Sequence, residues 1–156
     1  MEHPKSPCND CPYRRDVKSC HMDPSALGYS PPEVYIGQIG GPFYLPCHSY
    51  TDYNDPNWKS DNTKPQCAGA AIFRANTGVD ENMINPLTGE RGPMSKFFYR
   101  LPKDTSIIFS SFVEFYAHHA GVPQFYAMMY LDRLRPEMLT MMMLEQGGTV
   151  TLVPKG

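Results

Sequence analysis

No cysteine follows position 67 in this chain of 156 residues, although five precede it, at Cys8, Cys11, Cys20, Cys47 and Cys67. Thiols that only filled core space would be scattered, so the bias marks the first half as the part that carries chemistry. No apolar run approaches the ~20 residues that cross a bilayer. The opening residues are polar and broken by proline, with no apolar stretch of the kind a secretory leader needs. These absences predict a soluble, cytoplasmic protein with no membrane partner. Disulfides rarely persist in a reducing cytoplasm, and an odd cysteine count argues in the same direction. Charge is scarce too: a net charge of −2 gives no long-range attraction to a polyanion, so nucleic-acid contact would have to come from a local patch.

Catalytic signatures are also missing. The sequence contains no phosphate-binding Gly-x-x-x-x-Gly-Lys-Ser/Thr, no Gly-x-Ser-x-Gly and no His-Glu-x-x-His, which removes the sequence case for phosphate-loop, serine-hydrolase and zincin chemistry. Pro7-Cys8-x-x-Cys11 matches the second half of a zinc deaminase signature, but the upstream His-x-Glu is lacking and Glu2-His3 has the wrong order. Enzymatic activity is therefore left open, with no motif to carry it.

What is present suits one domain, 1–156, at a length where folding buries roughly 68–70% of the unfolded surface. Sixteen prolines, ten methionines and ten tyrosines predict a loop-rich α+β fold, with short helices and a few short strands organised around a four-cysteine metal site. Within it, 1–75 forms a metal-binding half and 76–156 a helical half ending in a strand. Ser30-Pro31-Pro32-Glu33 reads as a capping box, giving a helix from Pro31 to Ile39 that stops at Gly40-Gly41. Phe43-Tyr44-Leu45 is a short extended piece delivering Cys47, and His48 to Gln66 is a polar, aromatic loop. A helix starts at Cys67, after Pro65, and stops at Gly78.

Cys8 and Cys11 thus lie on a tight turn, Cys47 ends an extended segment and Cys67 begins a helix. Thiolates three residues apart can face one ion, and a helix N-terminus adds partial positive charge beside Cys67. Small residues from Ala68 to Ala71 leave room for something bulky against that first turn. The spacing selects Cys8, Cys11, Cys47 and Cys67 as metal ligands. One Cys-x-x-Cys with two isolated cysteines favours an iron–sulfur cluster, of the 4Fe-4S type, because structural zinc usually uses two close pairs. Zinc is the alternative. His48 would complete a Cys3His zinc site, whereas Cys20 reads as a free thiol or one supporting the ligands from outside. His3 reads as a solvated terminal residue.

Cys8-x-x-Cys11-Pro12-Tyr13-Arg14-x-Asp16, then Cys47-His48, then Cys67-Ala68-Gly69 resembles a family of small, functionally uncharacterised cysteine-rich proteins encoded by bacteria and their phages. All three blocks match in order, over about the first half of the chain. The resemblance implies the same four-cysteine ligand set, and a phage-encoded protein acting in the host cytoplasm. It supplies no activity, and Cys20 lies outside its pattern.

In the second half, Asp104-Thr105 caps a core helix predicted from Ser106 to His119 and ended by Gly121. Glu114 and His118, four apart on one face, could form a carboxylate-oriented imidazole. The plainer alternative is that His118 and His119 sit as cations at a helix C-terminus. Asn76 to Lys103 is rich in turns, with a short element at most from Met94 to Leu101. Pro136 to Leu144 reads as a methionine-rich helix, a core filler or a face for homo-oligomer formation, and Thr149 to Val153 as a strand. Two functions follow. One is a metal-stabilised binding or regulatory protein acting on a protein or nucleic-acid partner, with Tyr50, Tyr53 and Trp58 as stacking residues. The other is a metal-dependent redox or nucleic-acid-processing enzyme using Arg14, Arg15, Asp16, His48 and Arg74.

Overall fold

Prolines and glycines set several limits of the helices. The computed structural model describes residues 3–41, 43, 45–46, 65–85, 88–96 and 98–134. After a 3-10 turn at Pro24–Leu27, helix α1 spans Pro32–Gly40 and α2 spans Ala68–Thr77. A two-residue antiparallel hairpin follows, β1 at Met83–Ile84 and β2 at Arg91–Gly92, with Met83 opposite Gly92 and Ile84 opposite Arg91. Helix α3 spans Phe112–Ala120 and α4 spans Gln124–Arg133. This is a mixed α+β arrangement among the described residues. Helix α1 packs between α2 and α3, and α4 packs on α3. The expected 136–144 helix and 149–153 strand lie outside the described residues.

The first two helices fall where the sequence places them, but their caps differ. Pro31, not Ser30, is the N-cap of α1 and makes no side-chain cap bond. Glu33 does not close a capping box; it is buried, where Tyr116 donates to it, and burial raises its pKa. Cys67 caps α2 and Gly78 ends it in the left-handed conformation, φ 82°, which suits a residue without Cβ.

Helix α3 starts six residues later than expected. Asp104 caps a local turn instead, accepting from the Ser106 amide at 3.0 Å. The true N-cap is Ser111, which accepts from Glu114 N at 3.1 Å. The reason is tertiary: the 105–109 stretch lies along the N-terminal arm, where Arg14 bridges Ile108 and the Phe109 amide donates to Tyr13 O at 3.1 Å. Asn76 pins the same stretch, donating to Asp104 O and Phe109 O, both at 3.0 Å. Helix α4 was not anticipated. Pro123 opens it, but its apolar residues run all round, with Phe125, Tyr126, Met128 and Met129 exposed and only Ala127 buried, so no one-sided stripe marks it. Between α2 and α3 the turn-rich stretch is ordered by a small cluster of Val79, Met83, Met94 and Phe98.

The main core gathers Tyr13, Leu27, Ile39, Phe73, Phe109 and Phe115. Beside it, Arg74 of α2 is buried and donates to the carbonyls of Gln38, Ile39, Gly41 and Phe43 at 2.8–3.1 Å. It thereby caps the C-terminus of α1, where a cation is favoured by the dipole, and its guanidinium lies 5.5 Å from the Phe98 ring centre. Burial pulls its pKa down to about 10, so it stays charged at neutral pH. Each unmet buried carbonyl costs ~1–3 kcal/mol, so Arg74→Met should lower unfolding stability by ~3 kcal/mol or more. Urea titration checks this; an unchanged midpoint would mean that water replaces the guanidinium without cost.

Candidate metal centre

The Cys-x-x-Cys turn is closed by the Cys11 amide donating to Cys8 O at 3.2 Å, and a second turn follows as Arg14 N donates to Cys11 O at 3.1 Å. Two consecutive turns leave Cys11 and Tyr13 both buried. Tyr13 enters the core with ring centres 5.4 Å from Phe73, 6.0 Å from Phe115 and 6.1 Å from Tyr35. Cys11 lies on the first turn of α2 over Gly69, where a Cβ would overlap its sulfur. The small residues of that turn therefore make room for a thiol of the chain itself.

Cys67 stands beside it. Its thiol accepts from Ala70 N at 3.5 Å, and its amide donates to Leu45 O at 2.9 Å. Pro46 pairs with Gln66 in an isolated antiparallel bridge, so the extended segment that leads to Cys47 is hydrogen-bonded to the segment that delivers Cys67. Cys47 and His48 themselves lie outside the described residues, as do Tyr50, Tyr53 and Trp58.

Cys11 is the central thiol, in hydrogen-bonding contact with both Cys67 and Cys8. Contact with Cys67, then with Cys8, and burial hold it well above the ordinary thiol range. The Cys67 thiol is drawn down to about 7, first by Cys11 and then by the Ala70 and Gly69 amides and the Arg74 charge, against burial. Cys8 is lowered by Cys11 as well. Charge is thus favoured on the sulfurs of Cys8 and Cys67 and opposed on Cys11, which Gly69 admits. The thiols bond pairwise through Cys11, and among the described residues no group of three or more His, Cys, Asp or Glu is arranged to hold a metal ion.

Cys20 is held elsewhere. Its thiol donates to His119 O at 3.1 Å, its amide donates to His119 Nδ1 at 3.2 Å, and burial raises its pKa. With Nδ1 accepting, the proton of His119 sits on Nε2 and is donated to Pro12 O at 3.1 Å. One buried imidazole therefore links both flanks of the N-terminal arm. His119 is not a cation at a helix end, because burial pushes its pKa down to about 4. His118 contacts Val17 O at 2.7 Å through Nε2, while Glu114 pairs with Arg15 at 2.9 Å. Burial opposes ionisation of Glu114, but donors from Arg15 and Ser110 outweigh it and keep its pKa low. The suggested Glu114–His118 couple is thus divided between two anchors of the same arm.

His3 also departs from expectation. Its Nδ1 accepts from Gln66 N at 2.8 Å and its ring stacks on Tyr99 at 4.7 Å, so it braces the residue preceding Cys67. Nothing in the sequence signals this role. The polar groups considered for catalysis are engaged too. Arg14 pairs with Asp16 through two contacts of 2.8 Å, Arg15 also donates to Thr105 O at 2.7 Å, and Arg74 is buried. No family model, curated protein or solved structure matches the chain.

His119 makes the arm sensitive to acid. The fold holds it neutral, so its contribution is complete above the unfolded value of 6.5 and falls as pH drops toward about 4. Stability measured by urea unfolding should therefore decline more steeply between pH 6.5 and about 4 in the wild-type chain than in His119→Gln. An identical slope in the variant would assign the proton uptake to another group.

Proposed function

We propose that the chain is a small binding or regulatory protein stabilised by a metal centre, with Cys8, Cys11, Cys47 and Cys67 as ligands to an iron–sulfur cluster, or alternatively to zinc. One observation supports the reading: Cys11 lies over Gly69 and contacts Cys8 and Cys67 in turn, while the segment entering Cys47 is paired to the one entering Cys67. Cys8 and Cys67, 59 residues apart in the chain, both contact Cys11, and Leu45-Pro46 leads toward Cys47 beside them. Bound there, a metal would supply folding free energy by tying those segments together. The protein's own groups orient the sulfurs. Ala70 N faces Cys67, Gly69 admits Cys11, and His119 fixes the Pro12 carbonyl next to it.

The binding reading is preferred to an enzyme because Arg14, Arg15, Asp16 and Arg74 are already committed to ion pairs and carbonyls. Recognition would fall to Tyr50, Tyr53 and Trp58, in the sequence between Pro46 and Gln66, with a protein or an unpaired nucleic-acid strand as partner. The same reading places the chain among the cysteine-rich bacterial and phage proteins, in a host cytoplasm.

Anaerobic purification with iron, sulfide and zinc analysis tests it. Serine at Cys8, Cys11, Cys47 or Cys67, and alanine at Gly69, should each lower metal content and melting temperature, whereas Cys20→Ser should change neither. Metal loss in Cys20→Ser with one of the four neutral would overturn the ligand set, and a metal-free wild-type chain would overturn the function.

A further inference from the structure

Helix α4 has two apolar sides. One packs on α3, with Ala127 fully buried and the Tyr130 ring stacked on Tyr116 of α3 at 5.0 Å. Those contacts fix which side of α4 points inward. On the opposite side, the helical spacings of three and four place Phe125, Met128, Met129 and Asp132 in one stripe. Phe125 is 69% exposed, Met128 51% and Met129 42%, and Tyr126 flanks them at 54%. Single exposed apolar residues are ordinary on a protein surface, but several large ones side by side mark a face that another surface covers. The helix does not need them in order to form, since Glu, Lys or Gln would serve as well at exposed positions.

The sequence that comes next supplies the occupant. Helix α4 ends at Arg133, and Leu134-Arg135 lead into Pro136 to Leu144, where six of nine residues are Met or Leu. Six of the chain's ten methionines fall between Met128 and Met143. A connection this short is of the length that joins antiparallel neighbours. It also holds the segment at an effective concentration of roughly millimolar, far above what a separate chain reaches in dilute solution. Methionine suits both sides of such a contact, because its unbranched thioether fills irregular gaps and packs on aromatic edges. The 47–64 stretch is predominantly polar and offers no comparable apolar surface. We propose that residues 136–144 pack back onto the outer stripe of α4 in the same chain, so that their Met and Leu side chains cover Phe125, Met128 and Met129. Helix α4 is then a middle layer, buried on both sides. No cysteine takes part, so this packing stands apart from the metal reading.

Methionine-methyl NMR on the full-length chain tests it, with the ten methyl signals labelled with carbon-13 and assigned by single Met→Leu substitutions. Met22, 79% exposed, and Met83 and Met94, each 4% exposed, serve as internal references. Nuclear Overhauser contacts should join Met128 or Met129 to Met138, Met141, Met142 or Met143 within one chain, and should persist on dilution. A soluble gadolinium chelate should broaden Met128 and Met129 far less than Met22. In Phe125→Asp those contacts should be lost, and the methyls of Met138 to Met143 should broaden toward the level of Met22. Contacts found only between differently labelled chains would assign the face to a second copy and overturn the packing within one chain. Absence of the contacts, broadening of Met128 and Met129 equal to that of Met22, or contacts and shielding that survive Phe125→Asp would overturn it as well.

Discussion

The contact on which the rest depends is that of the Cys11 sulfur with the backbone of Gly69. A side chain at 69 would occupy the place of the sulfur, so the N-terminal arm and α2 meet only because one residue lacks a Cβ. From that contact the tripeptide Cys11-Pro12-Tyr13 makes three kinds of attachment in succession: a thiol against a helix start, a carbonyl to His119, and a ring in the aromatic core. Their magnitudes differ. Full burial of a large apolar side chain contributes ~1.5–3 kcal/mol, whereas partly exposed ion pairs such as Arg15–Glu114 add ~0–1 kcal/mol. Tyr13 therefore holds the arm, and the charged pairs set its register.

Around this joint the buried polar groups are satisfied from within the chain. Arg74 serves four carbonyls at the end of α1, Asn76 bonds both faces of the 104–109 stretch, and His119 spans the arm. Among the described residues no buried side-chain nitrogen or oxygen lacks a partner. In a fold with short helices and a two-residue hairpin, these side chains supply the cross-links that longer secondary structure gives elsewhere. The Arg74 charge left unpaired in such a place would cost several kcal/mol, and an unmet amide or imidazole ~1–3 kcal/mol, so each of them constrains the backbone it touches.

What the sequence discloses follows from how local each signal is. Helices α1 and α2 were legible because proline and glycine bound them within ten residues, and Cys67 at the N-cap followed from its place after Pro65. The contact of Cys8 and of Cys67 with Cys11 was legible because few roles suit that residue type in such a pattern. The start of α3 was not, since Asp104 is as good a cap as Ser111 until the arm claims the 105–109 stretch. Helix α4 was hidden by its nearly all-exposed surface. His119, His3 and Arg74 were misread or missed because their partners lie 31 to 107 residues away, and no spacing rule reaches that far.

The central claim is that sulfur from four cysteines surrounds a metal. X-ray absorption at the iron and zinc edges of the anaerobically purified chain measures it directly. The account predicts a first coordination sphere of sulfur at about 2.3 Å, as thiolate ligation requires, with a short iron–iron distance if a cluster is present. A sphere dominated by oxygen or nitrogen, or no edge signal in proportion to protein, would contradict it.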